Sequence, residues 1–335
     1  MSTHGPYNAL TDVAGLTVGH YTDRKAASGV TVMICEGGAI AGVDVRGSAP
    51  GTRETDLLEP VNLVDRIQGI VLSGGSVYGL AASDGVVRWL SQKGIGFPLD
   101  GSHVAPIVPA AVLFDLGRGS DFFPPIGHEW GWAACESANA GPVPIGSVGA
   151  GTGAVCGTIK GGLGSASWVT DDGITVAAMA AVNSLGSIAD PETGEIWESR
   201  LEVGAEFGDQ KRRKVRMPAP SAGMPAGNTT IGIVATDAVL SKVQAQKMAQ
   251  MAHDGLARSI RPSHTMFDGD TIFCVATGRK ILPERPGVFA GASAAQCINE
   301  IGDAAANCMS RAIIRGVLAA DGLKPFPAFR DLEDR

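Results

Sequence analysis

The sequence predicts an α+β sandwich, and three observations carry the prediction. Strand-type and helix-type segments come in blocks and not in strict βαβ alternation, which disfavours a doubly wound parallel sheet. Glycine supplies 46 of 335 residues while aromatics reach only 5%, so backbone must pack closely on backbone. Hydrophobic residues at 44% against charged residues at 18% describe a globular chain, long enough for one large core without disulfide staples. The glycines follow no G-X-Y period and sit among Val, Ile and Ala, which excludes collagen and a flexible linker protein.

In chain order, Val30 to Ile34 reads as a strand, Glu36-Gly37-Gly38 as a turn, and Ile40 to Val45 as a return strand, together a β-hairpin. After Ser73-Gly74-Gly75-Ser76, residues Val77, Leu80, Ala81, Val87 and Leu90 fall on one helical face with Ser76 as cap. Strand character resumes at 155–159 and 174–182. From 191 to 227 the chain turns Glu-rich, then basic, then Pro- and Gly-rich without periodicity, and this reads as an exposed linker. Thr229 to Thr236 then has strong strand character, and Ser241 with Gln244 forms a capping-box signature for a helix carrying Met248, Ala252 and Leu256. A strand over 271–277 and a long helix over 293–319 complete the list.

The formal net charge of -7 argues against nucleic acid or an anionic membrane surface as partner, since both require a clustered positive field. The single basic run, Lys211-Arg212-Arg213-Lys214, reads as a solvated loop. The opening residues lack a basic region followed by an apolar one, so no secretory signal is read and a cytoplasmic chain is expected. The longest uncharged run, 137–159, contains Pro142, Pro144 and many glycines, which excludes a membrane helix. Cys35, Cys135, Cys156, Cys274, Cys297 and Cys308 form no C-x-x-C pair and read as reduced, buried core residues.

Gly149-Ala150-Gly151-Thr152-Gly153-Ala154 fits a dinucleotide-binding pattern, with Asp171 at the ribose position, but β-branched residues follow where a helix is required. A tight turn or close strand packing is the preferred reading. No phosphate-binding P-loop and no G-x-S-x-G elbow occurs. His264-Thr265-Met266-Phe267-Asp268-Gly269-Asp270 is the densest cluster of candidate catalytic groups. It lacks a second histidine or cysteine at ligand spacing, with His253 and Asp254 the nearest additions, so no metal or other cofactor is expected. The two carboxylates either cap neighbouring backbone groups at a turn or serve general acid/base chemistry. Asn228-Thr229-Thr230 is a glycosylation sequon, a strand start, or an internal cleavage site. Cutting before Thr229 would create an α-amine of reference pKa about 7.7 to 8.0, suited to activate a threonine hydroxyl at neutral pH.

The runs Gly227 to Ile231, Gln246 to Gly255 and His264 to Phe273, with Gly47 to Asp56 and Ser73 to Gly79, resemble the L-aminopeptidase/D-esterase family. That family includes β-aminopeptidases and 6-aminohexanoate-oligomer endohydrolases. The resemblance covers nearly the whole chain and implies one hydrolase domain over 1–335, with a four-layer αββα sandwich like that of N-terminal-nucleophile hydrolases. It implies self-cleavage between Asn228 and Thr229 into chains of 228 and, by subtraction from 335, 107 residues. It also implies Thr229 as nucleophile, Lys160 as catalytic lysine beside Asp268, Asn183 as oxyanion-side amide, and Asp268 and Asp270 completing the set. By residue type alone Lys160 reads as a surface lysine after a strand and Asn183 as a strand-end turn residue. Asp268-Gly269-Asp270 stands where the aminopeptidase branch resembles Ser-x-Glu, which places the chain nearer the nylon-oligomer pattern. The implied substrates are small peptides, amino-acid amides or 6-aminohexanoate-type oligomers, and the implied assembly is a homo-oligomer, a tetramer of α/β pairs. The reading from another class is an unprocessed, non-catalytic small-molecule binder on the same fold, using Gly149 to Gly153; a metal-dependent hydrolase comes third.

Overall fold

The computed structural model describes residues 3–219, 227–287, 289 and 291–335. Nine strands pair into one sheet: β1 (Thr17–Asp23), β2 (Ser28–Val45), β3 (Gly51–Arg53), β4 (Arg66–Ser73), β5 (Ala110–Val112), β6 (Gly162–Val169), β7 (Thr175–Asn183), β8 (Thr229–Ala238) and β9 (Thr271–Lys280). Their order is β6-β7-β8-β9-β2-β4-β5-β3, with β1 also on β2. The pairs β8–β9 and β4–β5 are parallel and the others antiparallel.

The predicted hairpin over 30–45 does not form, because β2 is one strand of 18 residues. Its first half pairs with β1 and β4 and its second half with β9. At Glu36-Gly37-Gly38 the register with β4 shifts and Gly38 takes φ +70°, so a bulge bends the strand where a turn was expected. The first half is paired on both sides, by β1 and β4, and the second half is taken by the distant strand β9, so the two halves do not turn back on each other.

That bend lets one sheet supply two layers. The side chains of β7, β8 and β9 alternate: Val176, Ala178, Val234, Ile272 and Cys274 face the helices α3 (Lys242–Ser259) and α4 (Ala292–Leu318). Ala177, Met179, Ile231, Ile233, Phe273 and Val275 face inward, where they meet Met33, Ile70 and Leu72 from β2 and β4. The outer face of that β2–β4 layer, Val30, Val32, Ile34 and Val71, packs under α1 (Ala82–Gln92) and α2 (His128–Glu136). Three apolar layers therefore separate helix, sheet, sheet and helix, which is the four-layer α+β sandwich.

The capping box at α3 forms: Gln244 N–H donates to Ser241 Oγ at 3.3 Å, and Gln244 Oε1 accepts from Ser241 N at 2.9 Å. The helix expected after Ser76 begins differently, since Ser76–Ala81 is a 3₁₀ turn and α1 starts at Ala82. Ser76 takes φ +52° and does not cap. Strand β6 was not predicted because Gly162, Gly164, Ser165 and Ser167 lack strand character. The two glycines have a packing cause: a Cβ at Gly164 would lie 1.9 Å from Ala312 O and 2.5 Å from Gly316 N on α4, and one at Gly162 would lie 2.3 Å from Gly316 O.

The segment read as an exposed linker divides. Pro220, Gly223 and Pro225, within 220–226, lie outside the described residues, but 191–219 is anchored. Ile196, Phe207 and Val215 are buried in the helix-side core, and Arg311, 2% exposed, holds Glu206 through both carboxylate oxygens. The basic run is likewise paired and not simply solvated: Lys211 meets Glu202 at 2.7 Å, Arg213 meets Asp334 at 2.7 Å and Lys214 meets Glu195 at 2.8 Å. All six cysteines are buried. Among the described residues no helix is long and apolar enough to cross a membrane.

Candidate active site

The ends of three central strands converge. Thr229 opens β8 directly opposite Asn183, the last residue of antiparallel β7. Strand β9 runs parallel to β8, so the residues preceding each strand lie side by side and Asn228 bridges Asp268. Four of the five predicted site residues, Thr229, Asn183, Asp268 and Asp270, thereby meet at one sheet end, each 5% exposed or less.

The Thr229 hydroxyl donates to the carbonyl oxygen of Asn228, the residue before it. The Gly269 N–H is directed at the same place, donating to Thr229 Oγ1 at 3.1 Å and to Asn228 O at 3.3 Å. Neither Gly227 nor Gly269 has the left-handed backbone expected of a strained turn; what both supply is room. A Cβ on Gly227 would lie 2.2 Å from the Phe114 ring, and one on Gly269 would lie 2.7 Å from Ala49 O and 3.0 Å from Thr229 Oγ1.

The two carboxylates do cap backbone groups. Asp270 Oδ1 accepts from Thr230 N at 2.7 Å, while its Oδ2 accepts from His264 N at 3.1 Å and lies 2.8 Å from His264 Nδ1. Asp268 Oδ2 accepts from Thr265 N at 2.7 Å, and its Oδ1 is buried without a partner among the described residues. Burial pushes the Asp268 carboxyl above the usual carboxylate range, with the Asp270 charge adding to the effect. The His253 ring stands 5.0 Å from that of His264, and burial takes its pKa down to about 4, whereas Asp254 is exposed. Among the described residues no three His, Cys, Asp or Glu groups are placed to hold a metal ion.

Lys160 is no surface lysine: it is 1% exposed, and Nζ donates to Gly151 O and Gly161 O at 2.8 Å each. Burial brings its pKa down to about 7, helped by the Arg118 charge and opposed by Asp115 and Asp321. The expected neighbour Asp268 is not among these charges. Lys160 instead pairs with Val155 in a two-strand ribbon, and Val155 N–H donates to Asn183 Oδ1 at 3.0 Å. The same Oδ1 accepts from Arg118, whose Nη1 also donates to Gly153 O at 2.7 Å. Asp115, 1% exposed, accepts from Gly75 N at 2.6 Å and Ser28 Oγ at 2.8 Å; burial still raises its pKa to about 6. Sequence reasoning missed Asp115, Arg118 and Ser28. They belong to no motif, and only the fold brings 28, 115 and 118 beside 183.

Gly149–Gly151 is a buried 3₁₀ turn with no helix after it, so the dinucleotide pattern is not realised. The carbonyls of Gly151 and Gly153 face the Lys160 and Arg118 cations, an arrangement that holds cations and not phosphate. A cavity of about 850 Å³ beside α4, lined by Trp168, Arg285, Asn307 and Arg311 among others, includes none of the predicted site residues. Trp168 pairs with Val176, which pairs with Thr236, seven residues along β8 from Thr229, or roughly 23 Å at strand rise.

Comparison with known proteins identifies the family. The model of peptidase family S58 matches residues 8–327. An uncharacterised aminopeptidase of Mycobacterium tuberculosis is 44% identical, over 97% of this chain and 98% of its own length. A 6-aminohexanoate-oligomer endohydrolase of Kocuria sp. is 31% identical, over 84% of this chain and 78% of its own. The solved L-aminopeptidase D-Ala-esterase/amidase of Ochrobactrum anthropi, described as a variant of the Ntn-hydrolase fold, superposes with a TM-score of 0.74 at 22% identity, covering 100% of this chain and 92% of that one. The chain belongs to peptidase family S58 and is a hydrolase acting on amide bonds.

Proposed function

We propose that the chain cuts its own Asn228–Thr229 bond and then uses Thr229 as an N-terminal nucleophile against amides of small peptides, amino acids or 6-aminohexanoate-type oligomers. The observation that carries the reading is the Thr229 hydroxyl lying on the carbonyl of its own peptide bond, with the Gly269 N–H donating to that carbonyl oxygen. In self-cleavage Oγ bonds to the Asn228 carbonyl carbon, the C–N bond breaks, and the hydroxyl proton passes to the Thr229 nitrogen. Water then hydrolyses the ester, releasing the Asn228 carboxylate and restoring the hydroxyl beside a free α-amine. In turnover that amine takes the Oγ proton and returns it to the leaving amine, and water again resolves the acyl-enzyme ester.

Around that nucleophile, Asn183 Nδ2 donates to Phe114 O at 3.0 Å and Gly227 O at 3.4 Å, so its N–H groups face the junction and serve as an oxyanion donor. Asp270 holds Thr230 N and so fixes the strand start that carries the nucleophile. Asp268, with a free buried oxygen, receives the new α-amine once it forms. Lys160 orders the glycine carbonyls behind Asn183. Assembly as a cytoplasmic homo-oligomer of α/β pairs belongs to the same reading, and light scattering tests the assembly.

Intact-mass analysis of the purified protein tests the central claim. Two chains of 228 and 107 residues are expected, the second beginning at Thr229, and Thr229→Ala is expected to remain one chain of 335. Cleavage of the variant at the same bond would remove Thr229 as the attacking group. A substrate panel of amino-acid amides, β-peptides and 6-aminohexanoate oligomers then separates the aminopeptidase-like from the oligomer-hydrolase-like specificity.

A further inference from the structure

We propose that Arg118 is a positioning residue that fixes the orientation of the Asn183 side-chain amide, with Asp115 as its buried counter-charge. An amide side chain can be turned over, exchanging its oxygen and its NH2 at little steric cost. An Asn offered as an oxyanion donor must therefore be held with nitrogen toward the reacting carbonyl, and something has to hold it. At Asn183 two groups act on the oxygen side: the Val155 backbone N–H and Arg118 Nη1. Neither can accept a hydrogen bond, so a flipped amide would set NH2 against two donors and leave both unpaired in a buried site. On the other side the Phe114 and Gly227 carbonyls accept only, which favours the same orientation.

Arg118 is the part of this clamp that the fold builds separately. Its Nη1 is divided between Asn183 Oδ1 and Gly153 O, so the guanidinium is tied to the glycine turn as well as to the amide. The residue is half-buried, and its Nε is enclosed without a partner among the described residues. Asp115, three residues before it, supplies the favourable charge from a carboxylate itself held by Gly75 N and Ser28 Oγ. Lysine cannot reproduce this, because its ammonium is a point donor on a shorter reach and lacks the planar fork.

The inference rests on the reading of Asn183 as oxyanion donor, and the test separates the two. Arg118→Ala, Arg118→Lys, Asn183→Ala and the Arg118→Ala/Asn183→Ala double variant are made in the full chain. Self-cleavage is followed by intact mass, and kcat and KM are measured per matured site on the amide the wild type hydrolyses best. Asn183→Ala is expected to lower kcat by about 10² to 10³. Arg118→Ala is expected to lower kcat by at least about tenfold with little change in KM, as loss of an interaction made in the transition state requires. Added guanidinium at non-denaturing concentration restores part of that loss, and in the Asn183→Ala background Arg118→Ala has almost no further effect. Arg118→Lys, which keeps the charge beside Asp115, stays folded and falls between wild type and Arg118→Ala. Wild-type kcat in either Arg118 variant, or losses that multiply in the double variant, would overturn the inference while leaving the Thr229 reading intact. A neutral Asn183→Ala would overturn the oxyanion reading and this inference with it.

Discussion

Replacing Lys160 by methionine should change how stability depends on pH. Lys160 is 1% exposed and burial lowers its pKa from 10.5 to about 7. The unfolded chain therefore binds this proton more tightly than the folded one between those values, so folding gains stability as pH rises from about 7 to 10.5 and loses it on the way down. Below about pH 7 the penalty stops growing because the buried amine is protonated too. At about 1.36 kcal/mol per pH unit, the rise from pH 7 to 8.5 contributes roughly 2 kcal/mol. Lys160→Met removes that term and also leaves the Gly151 and Gly161 carbonyls without their donor, a loss independent of pH. The quantity to read is thus the slope of the difference in unfolding free energy between the wild-type and Lys160→Met chains. Both are best measured with Thr229→Ala, which is expected to keep each protein a single chain, by urea titration between pH 6 and 8.5. The wild-type residue should gain on methionine by about 2 kcal/mol across that range. A difference that stays flat with pH would refute a lysine buried with a depressed pKa.

Three further outcomes follow from the geometry. Gly269→Ala should slow self-cleavage sharply, because the added methyl meets Ala49 O and Thr229 Oγ1; wild-type conversion in a mass time course would contradict this. Gly164→Ala should lower the melting temperature by lifting α4 from β6, at a cost of about 1 to 3 kcal/mol or more, and an unchanged melting curve would show that the layers can separate freely. The cysteines should not react with a thiol reagent in the native protein, since all six are buried and burial raises Cys156 to about 11 and Cys135 and Cys308 to about 12; rapid native labelling would contradict their placement.

Local chemistry made much of this molecule readable. Ser241 and Gln244 announce α3 because a capping box is completed within four residues, and the β-branched run after Thr229 announces β8 because every one of its residues is buried. Asp268 and Asp270 stood out through their spacing about Gly269. Where the outcome depended on distant partners the reading failed: Glu36-Gly37-Gly38 has turn chemistry but becomes a bulge, because β9 and β4 compete successfully for the two halves of β2. Strand β6 was hidden by its glycines, which α4 keeps small by lying on them, and by its serines, whose hydroxyls meet Leu10 N, Gly5 N and Asp12 on the other face.

The glycine excess and the block order of elements determined, from sequence alone, a layered α+β protein with close backbone packing, and the residues around Asn228, Thr229 and Asp268 to Asp270 singled out the place where its chemistry is proposed. Only the tertiary structure decided that Lys160 is buried with its ammonium on the Gly151 and Gly161 carbonyls, and that Arg118 and Asp115 stand behind Asn183. The physical reason is that hydrogen bonds and buried charges form between groups tens of residues apart, while motif and periodicity report only what a residue does to its near neighbours.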